Sequence, residues 1–119
     1  MDCRIRSVFS CHLFRFTIYS ATRSWAKEFG KYGVRVIGVA PGILEATGLR
    51  TLAYEEALAY TRGITVDDLR KGYASTKTTP LGRSGKLSEV ADLVVYLASE
   101  RASYIHGVTY NVAGGKTRG

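Results

Sequence analysis

The residues best suited to chemistry in this chain of 119 residues are the cations of its middle and the loop just ahead of them. Arg50, Arg62, Arg70, Lys71 and Lys77 all fall in a connection, 43–79, that separates two readable core elements. Guanidinium and ammonium groups there offer charge-assisted hydrogen bonds to an anion; the alternative is a set of solvated helix faces. Immediately before them, Ala40-Pro41-Gly42 ends a β-branched run. Ligands of open α/β sheets bind beyond the carboxyl ends of strands, so this loop is the first place a site is expected. Metal chemistry is not expected. Cys3 and Cys11-His12 lack a second ligand pair at metal spacing, and His106 is remote in sequence.

The elements that must position these groups follow from periodicity. Ile18, Thr22, Trp25, Phe29 and Tyr32 recur at helical spacing, which predicts a helix over 17–32 with Trp25 and Phe29 as core anchors and Gly33 as its stop. Val34–Val39 reads as a buried parallel strand that Ala40-Pro41-Gly42 cannot continue. Within the connection, Ala53–Tyr60 and Thr65–Tyr73 have helical composition, and Thr65 with Asp68 makes a capping arrangement. A connection this long is usually functional, so 43–79 is expected to be a helical lid. Leu87, Val90, Ala91, Val94, Leu97 and Ala98 predict another helix, and Val108–Val112 a second strand closed by Gly114-Gly115. Residues 1–16 are an unassigned lead-in, in which Arg4-Ile5-Arg6 reads as an edge strand or a frayed start. The fold class is α/β with parallel strands and flanking helices. Two strands cannot make a stable sheet alone, so 17–119 is expected to be part of a larger one.

Composition bounds the partners. The net charge is +7, and seven of the seventeen basic residues lie in the first 35 positions. This suits a solvated basic surface or an anionic small molecule. A nucleic-acid binder is the weaker alternative, because no recognition motif accompanies the charge. No apolar stretch is long enough to span a bilayer and no leader is read, so the expected location is cytoplasmic, with the two cysteines as free thiols.

Read together and in order, several segments resemble the short-chain dehydrogenases/reductases. They are Pro41-Gly42 after its strand, Pro80-Leu-Gly-Arg-Ser-Gly85, Glu89-Val-Ala, Leu97-Ala-Ser, Ala102-Ser-Tyr-Ile, Gly107 and Gly114-Gly115. The resemblance covers 22–119 and corresponds to the C-terminal half of that family's Rossmann-like domain. Gly42–Thr51 and the ending from Ala113 are most similar to its polyol-phosphate branch, whose members interconvert sorbitol 6-phosphate and fructose 6-phosphate. The resemblance implies NAD(H) or NADP(H), with NAD(H) the cofactor of the polyol-phosphate branch, a sugar-phosphate substrate and a homo-oligomer; a non-catalytic oligomerisation module is the alternative. It places backbone groups of Pro41, Gly42 and Leu44 against the nicotinamide carboxamide and Thr47 near the cofactor phosphates. It leaves Arg50, Arg62 or Lys71 to meet the substrate phosphate.

The family's base is a tyrosine followed four residues later by a lysine. Tyr19 with Arg23 has that spacing, but the ungapped register through Thr22–Glu28 puts Cys11 and Arg15 at those two places. Tyr19 is the catalytic candidate only if two helical turns are deleted; otherwise it is an ordinary helix tyrosine. Guanidinium is not an ammonium equivalent, and a thiol is a different base. No Gly-rich phosphate loop follows a strand either, since Gly30-Lys-Tyr-Gly33 follows a helix. The isolated chain is therefore expected to be inactive.

Overall fold

The computed structural model describes residues 3–116, with side-chain surroundings from residue 16 onward. Helix α1 runs Cys3–Phe29 and passes into a 3-10 turn, Gly30–Tyr32. Strand β1 is Gly38–Pro41. Helices α2, Leu52–Arg62, and α3, Val66–Tyr73, occupy the long connection. Helix α4, Leu87–Ala98, a second 3-10 turn, Glu100–Ala102, and strand β2, Thr109–Val112, complete the chain. The order is α/β, and β1 and β2 form one two-stranded sheet. The Gly38 N–H donates to Val108 O and the Gly42 N–H to Val112 O, each at 2.9 Å. The constant offset between partners makes the pair parallel.

Two compact units divide the described residues: one from the segment up to residue 39 together with 96–110, the other from 40–95 together with the segment from 111 onward. In the first, α1 continues far ahead of the expected start. Arg4-Ile5-Arg6 is helical backbone, neither edge strand nor frayed lead-in. No Gly or Pro stands between Cys3 and Phe29, so nothing interrupts the hydrogen-bond ladder once it is formed. Gly33 does stop the helix, in the left-handed conformation (φ 74°). The side chains of Cys3, Cys11, His12 and Arg15 lie outside the described residues.

The face of α1 that is buried is Thr22 and Ala26. Trp25 and Phe29, expected as core anchors, are 53% and 37% exposed. The periodicity correctly marks an apolar face, but the described residues cover only its small-residue edge. Val94 and Val95 of α4 are likewise exposed, at 47% and 70%, and the buried core is small: Ala26, Ala59, Leu69, Leu97 and Ala102.

Two polar residues fasten this unit. His106 Nδ1 accepts the Val36 N–H at 3.0 Å, so its Nε2 carries the proton and donates to Ala26 O at 2.7 Å. The imidazole takes the Val36 donor, and the Val34 N–H turns back to Phe29 O at 3.4 Å, so β1 begins at Gly38 rather than at Val34. The strand also runs on through Ala40 and Pro41, one residue short of the Gly42 N–H that bonds Val112. Proline lacks only the donor, and at a strand end its carbonyl is still usable.

The second fastener is Arg35. Its Nη1 donates to Leu97 O at 2.8 Å and Ala102 O at 2.9 Å, and its Nη2 to Ser99 O at 3.1 Å. One guanidinium thus caps the carbonyl end of α4 and the turn after it. Arg35→Ala is expected to lower unfolding free energy by about 2 kcal/mol, because charged hydrogen bonds are lost at three carbonyls. Urea denaturation checks this, and Arg35→Lys should recover only part because an ammonium cannot fork.

Candidate functional site

The second unit holds the loop after β1 and the helices of the connection. The helices begin where their caps dictate. Thr51 Oγ1 accepts the Tyr54 N–H at 3.3 Å, and Thr65 Oγ1 accepts the Asp68 N–H at 3.1 Å while its own hydroxyl donates to Asp68 Oδ2 at 2.7 Å. Thr65 was legible as a cap in the sequence; Thr51 was not. Gly63 closes α2 at φ 64°.

The loop itself is pinned by an isolated parallel bridge between Leu44 and Gly85. The Gly85 N–H donates to Ile43 O and the Glu45 N–H to Gly85 O, both at 2.9 Å. That pairing uses the groups flanking Leu44 and turns Leu44's own N–H and C=O to the opposite side. There Leu44 O accepts from Arg50 Nη1 at 3.2 Å. Gly42 is fixed by proximity. A Cβ at this position would lie 2.7 Å from Ala113 Cα and 2.8 Å from Ala113 Cβ.

A charged cluster holds loop and helices together. Arg50 Nε donates to Glu55 Oε1 at 2.8 Å, and Arg70 Nη2 and Nε donate to Glu55 Oε2 at 2.7 and 2.9 Å. The Glu55 side chain is only 6% exposed. The Arg50 guanidinium lies over the Tyr73 ring, 4.5 Å from its centroid. The Arg70 hydrogen bond, helped by Arg50 and opposed by burial, holds the Glu55 carboxyl below its ordinary value. Nearby, Arg83 grips Glu89 with both Nη atoms, at 2.9 and 2.5 Å, and Glu89 also accepts the Lys86 N–H at 2.7 Å. This caps α4 and lowers the Glu89 pKa from 4.5 to about 2, with the Arg83 hydrogen bond as the largest cause.

A carboxyl with a depressed folded pKa contributes stability above its unfolded value and loses it as pH falls through the folded one. Glu89, Glu55 and Asp68 are all depressed. The chain is therefore expected to be at full stability above about pH 4.5 and to weaken toward about pH 2, as Glu89 protonates. Acid titration followed by circular dichroism reads this, and Glu89→Gln should flatten the lower part of the curve.

Two cavities open in this unit. One, of about 330 Å³, lies at the carboxyl end of β2 and is lined by Leu44, Thr79, Arg83, Asn111 and Gly114 among others. The other, of about 540 Å³, is lined by Glu45, Arg50, Glu55, Arg70, Arg83 and Lys86 among others. Of the residues expected to meet a cofactor, Leu44 lines the first cavity, while Pro41, Gly42 and Thr47 line neither. Thr47 Oγ1 accepts the Arg50 N–H at 3.1 Å, which helps to close the turn before α2. Of the expected anion contacts, Arg50 lines the second cavity; Arg62 and Lys71 lie exposed on α2 and α3 and line neither. Tyr19 sits in the other unit on α1, 36% exposed, four residues ahead of Arg23 on one continuous helix. Glu55 has no part in the sequence-based expectations, and Arg83 and Ala113 enter them only as members of the family segments, without a role of their own. An acidic residue in a helix's first turn is too common a feature to have singled out Glu55. Among the described residues no cluster of His, Cys, Asp or Glu is arranged for a metal ion, and no helix is long and apolar enough to cross a membrane.

Residues 12–117 match the family model described as enoyl-(acyl carrier protein) reductase. The chain belongs to the short-chain dehydrogenase/reductase family. Sorbitol-6-phosphate 2-dehydrogenase of Klebsiella pneumoniae is 72% identical over 100 residues, which are 84% of this chain and 37% of that enzyme. A short-chain dehydrogenase family protein from Francisella tularensis superposes with a TM-score of 0.76 at 30% identity, covering 87% of this chain and 41% of the other. Sorbitol-6-phosphate 2-dehydrogenase from Erwinia amylovora gives 0.76 at 26% identity, over 87% and 40%. The Rossmann-type α/β fold is therefore that of the family. The chain spans 37–41% of the length of these relatives.

Proposed function

We propose that this chain carries the C-terminal part of an NAD(H)-dependent oxidoreductase that interconverts a polyol phosphate and a keto-sugar phosphate, of the sorbitol 6-phosphate to fructose 6-phosphate type. The observation that carries the reading is the 72% identity to an enzyme of that name over 84% of the chain. The exposed apolar faces of α1 and α4 support the incomplete-domain reading. So does a sheet that has two strands among the described residues and needs further strands for stability.

Within this reading the chain supplies the nicotinamide side of the pocket. When bound, NAD(H) supplies the ring that accepts or returns hydride. Leu44's N–H, turned away from the Gly85 bridge, fits a carboxamide acceptor, with the backbone at Pro41 and Gly42 beside it and Thr47 toward the phosphates. The Arg50–Glu55–Arg70 cluster holds that loop by way of Leu44 O, so its task is to keep the loop from closing the cofactor's place. Arg50, Arg62 and Lys71 are the candidates for the substrate phosphate, and Arg50 is favoured because it lines a cavity. Region 43–79 acts as the helical lid, and the intact enzyme is a cytoplasmic homo-oligomer. The isolated chain has no turnover, because neither a Gly-rich loop nor a correctly spaced Tyr and Lys is read in it.

A chimera tests this. Residues 22–119 replace the corresponding segment of the Klebsiella enzyme, whose own amino-terminal part is kept. The chimera is expected to reduce fructose 6-phosphate with NADH at a rate within about tenfold of the parent enzyme. A folded chimera without turnover would refute the reading.

A further inference from the structure

The cleft of about 540 Å³ in the second unit contains more positive charge than its own carboxylates neutralise. Its lining includes four basic side chains, Arg50, Arg70, Arg83 and Lys86, against Glu45 and Glu55. Glu89 offsets Arg83. Glu55 is a single carboxylate shared by two guanidinium groups, with Asp67 acting on Arg70 from further off. Among the described residues the Lys86 ammonium is in no ion pair.

The two shared arginines are held in place already. Arg50 is fixed by Glu55, by Leu44 O and by the Tyr73 ring. Arg70 is fixed by two bonds to Glu55. Each keeps N–H groups that these contacts do not use. A guanidinium fork immobilised before a ligand arrives loses little entropy on binding, and it matches the oxygens of a phosphate. The cavity is of the size that small-molecule sites have.

We propose that this cleft is a phosphomonoester subsite, in which Arg50 and Arg70 offer their remaining N–H groups and Lys86 supplies the balancing charge. The inference rests on the proposed function only for the source of the anion: the phosphate end of the substrate. It assigns Arg70 and Lys86, rather than Arg62 and Lys71, as the partners of Arg50.

Calorimetric titration of the 119-residue chain with inorganic phosphate, sorbitol 6-phosphate, sorbitol and NAD separates the possibilities. Inorganic phosphate and sorbitol 6-phosphate should bind saturably at one site, and sorbitol should not bind. NAD, whose two phosphoryl groups are joined as an anhydride and leave no terminal phosphomonoester, should not compete. Lys86→Gln, an exposed change that leaves the Glu55 cluster intact, should weaken phosphate binding roughly tenfold, whereas Arg62→Gln should not alter it. Absence of phosphate binding by a chain that circular dichroism shows to be folded, or by the chimera, equal binding of neutral sorbitol, displacement by NAD, or an unchanged affinity in Lys86→Gln would each overturn the inference. An active chimera whose KM for fructose 6-phosphate is unmoved by Lys86→Gln would overturn it while leaving the proposed function standing. Phosphate binding by the chain beside a folded, inactive chimera would do the reverse.

Discussion

Replacing Glu55 by leucine will lower the melting temperature by roughly 10 °C or more, the largest loss expected from any single change in the second unit. The carboxylate is buried and receives Arg50 on one oxygen and Arg70 on the other. Removing it leaves two like charges facing each other across an apolar side chain, with Arg50 still tied to Leu44 O and the Tyr73 ring. The damage should spread along a defined route. Hydrogen exchange should quicken at Glu45 and Gly85, whose amides bridge the loop to the start of α4, before it quickens at α1. Glu55→Gln should lose less, since the amide oxygen still accepts from one arginine. Combining Glu55→Gln with Arg70→Gln should cost less than the two changes added together, because they remove one shared interaction. Additive losses would show that the three side chains act separately.

A valine at Gly42 should cost about 3 kcal/mol. The reason is contact, not backbone freedom. Gly42 does not require a left-handed conformation, yet any Cβ there would sit inside the contact distance of Ala113 backbone and side chain. Backbone cannot swing aside as the end of a flexible side chain can, so the strand ends would separate. The 2.9 Å bond from the Gly42 N–H to Val112 O would be lost with them. Gly48→Ala is the matched control. Nothing lies within 4 Å of its added Cβ, and stability should stay within about 0.5 kcal/mol of the parent. Equal effects at the two glycines in urea denaturation would contradict the packing explanation.

These two positions show which parts of the site were legible in the sequence. Elements with local signals were. The Thr65–Asp68 cap starts α3 at Val66, and the apolar period of α4 gives Leu87–Ala98 directly. Ala40-Pro41-Gly42 is expected to end the strand, yet β1 runs through Ala40 and Pro41 and stops only before Gly42; the reason for glycine there is not local, because Ala113 approaches from 71 residues away in the chain. The same holds for His106, whose ring takes the Val36 N–H just ahead of β1. Glu55 was invisible for the opposite reason: its two partners are in plain view as arginines, but nothing local says that they converge. Trp25 misled because helical periodicity reports which face is apolar, not whether the described residues cover it. The family motifs were legible because they are backbone devices, namely strand ends, glycine turns and helix caps. These keep their spacing wherever the fold is kept. Arg50 stood out as a cation in a long connection, and the structure adds that its guanidinium is held by Glu55, Leu44 O and Tyr73 before any ligand arrives.

The most direct test of the central claim is the substrate discrimination of the chimera that carries residues 22–119 behind the Klebsiella amino-terminal part. With NADH, its kcat/KM for fructose 6-phosphate should exceed that for fructose by at least about a hundredfold, as expected where a buried or preorganised charge recognises a phosphate. The isolated chain, assayed beside it with sorbitol 6-phosphate and NAD, should form no NADH above a protein-free control. A folded chimera that treats the two sugars alike, or an isolated chain that turns over, would contradict the account.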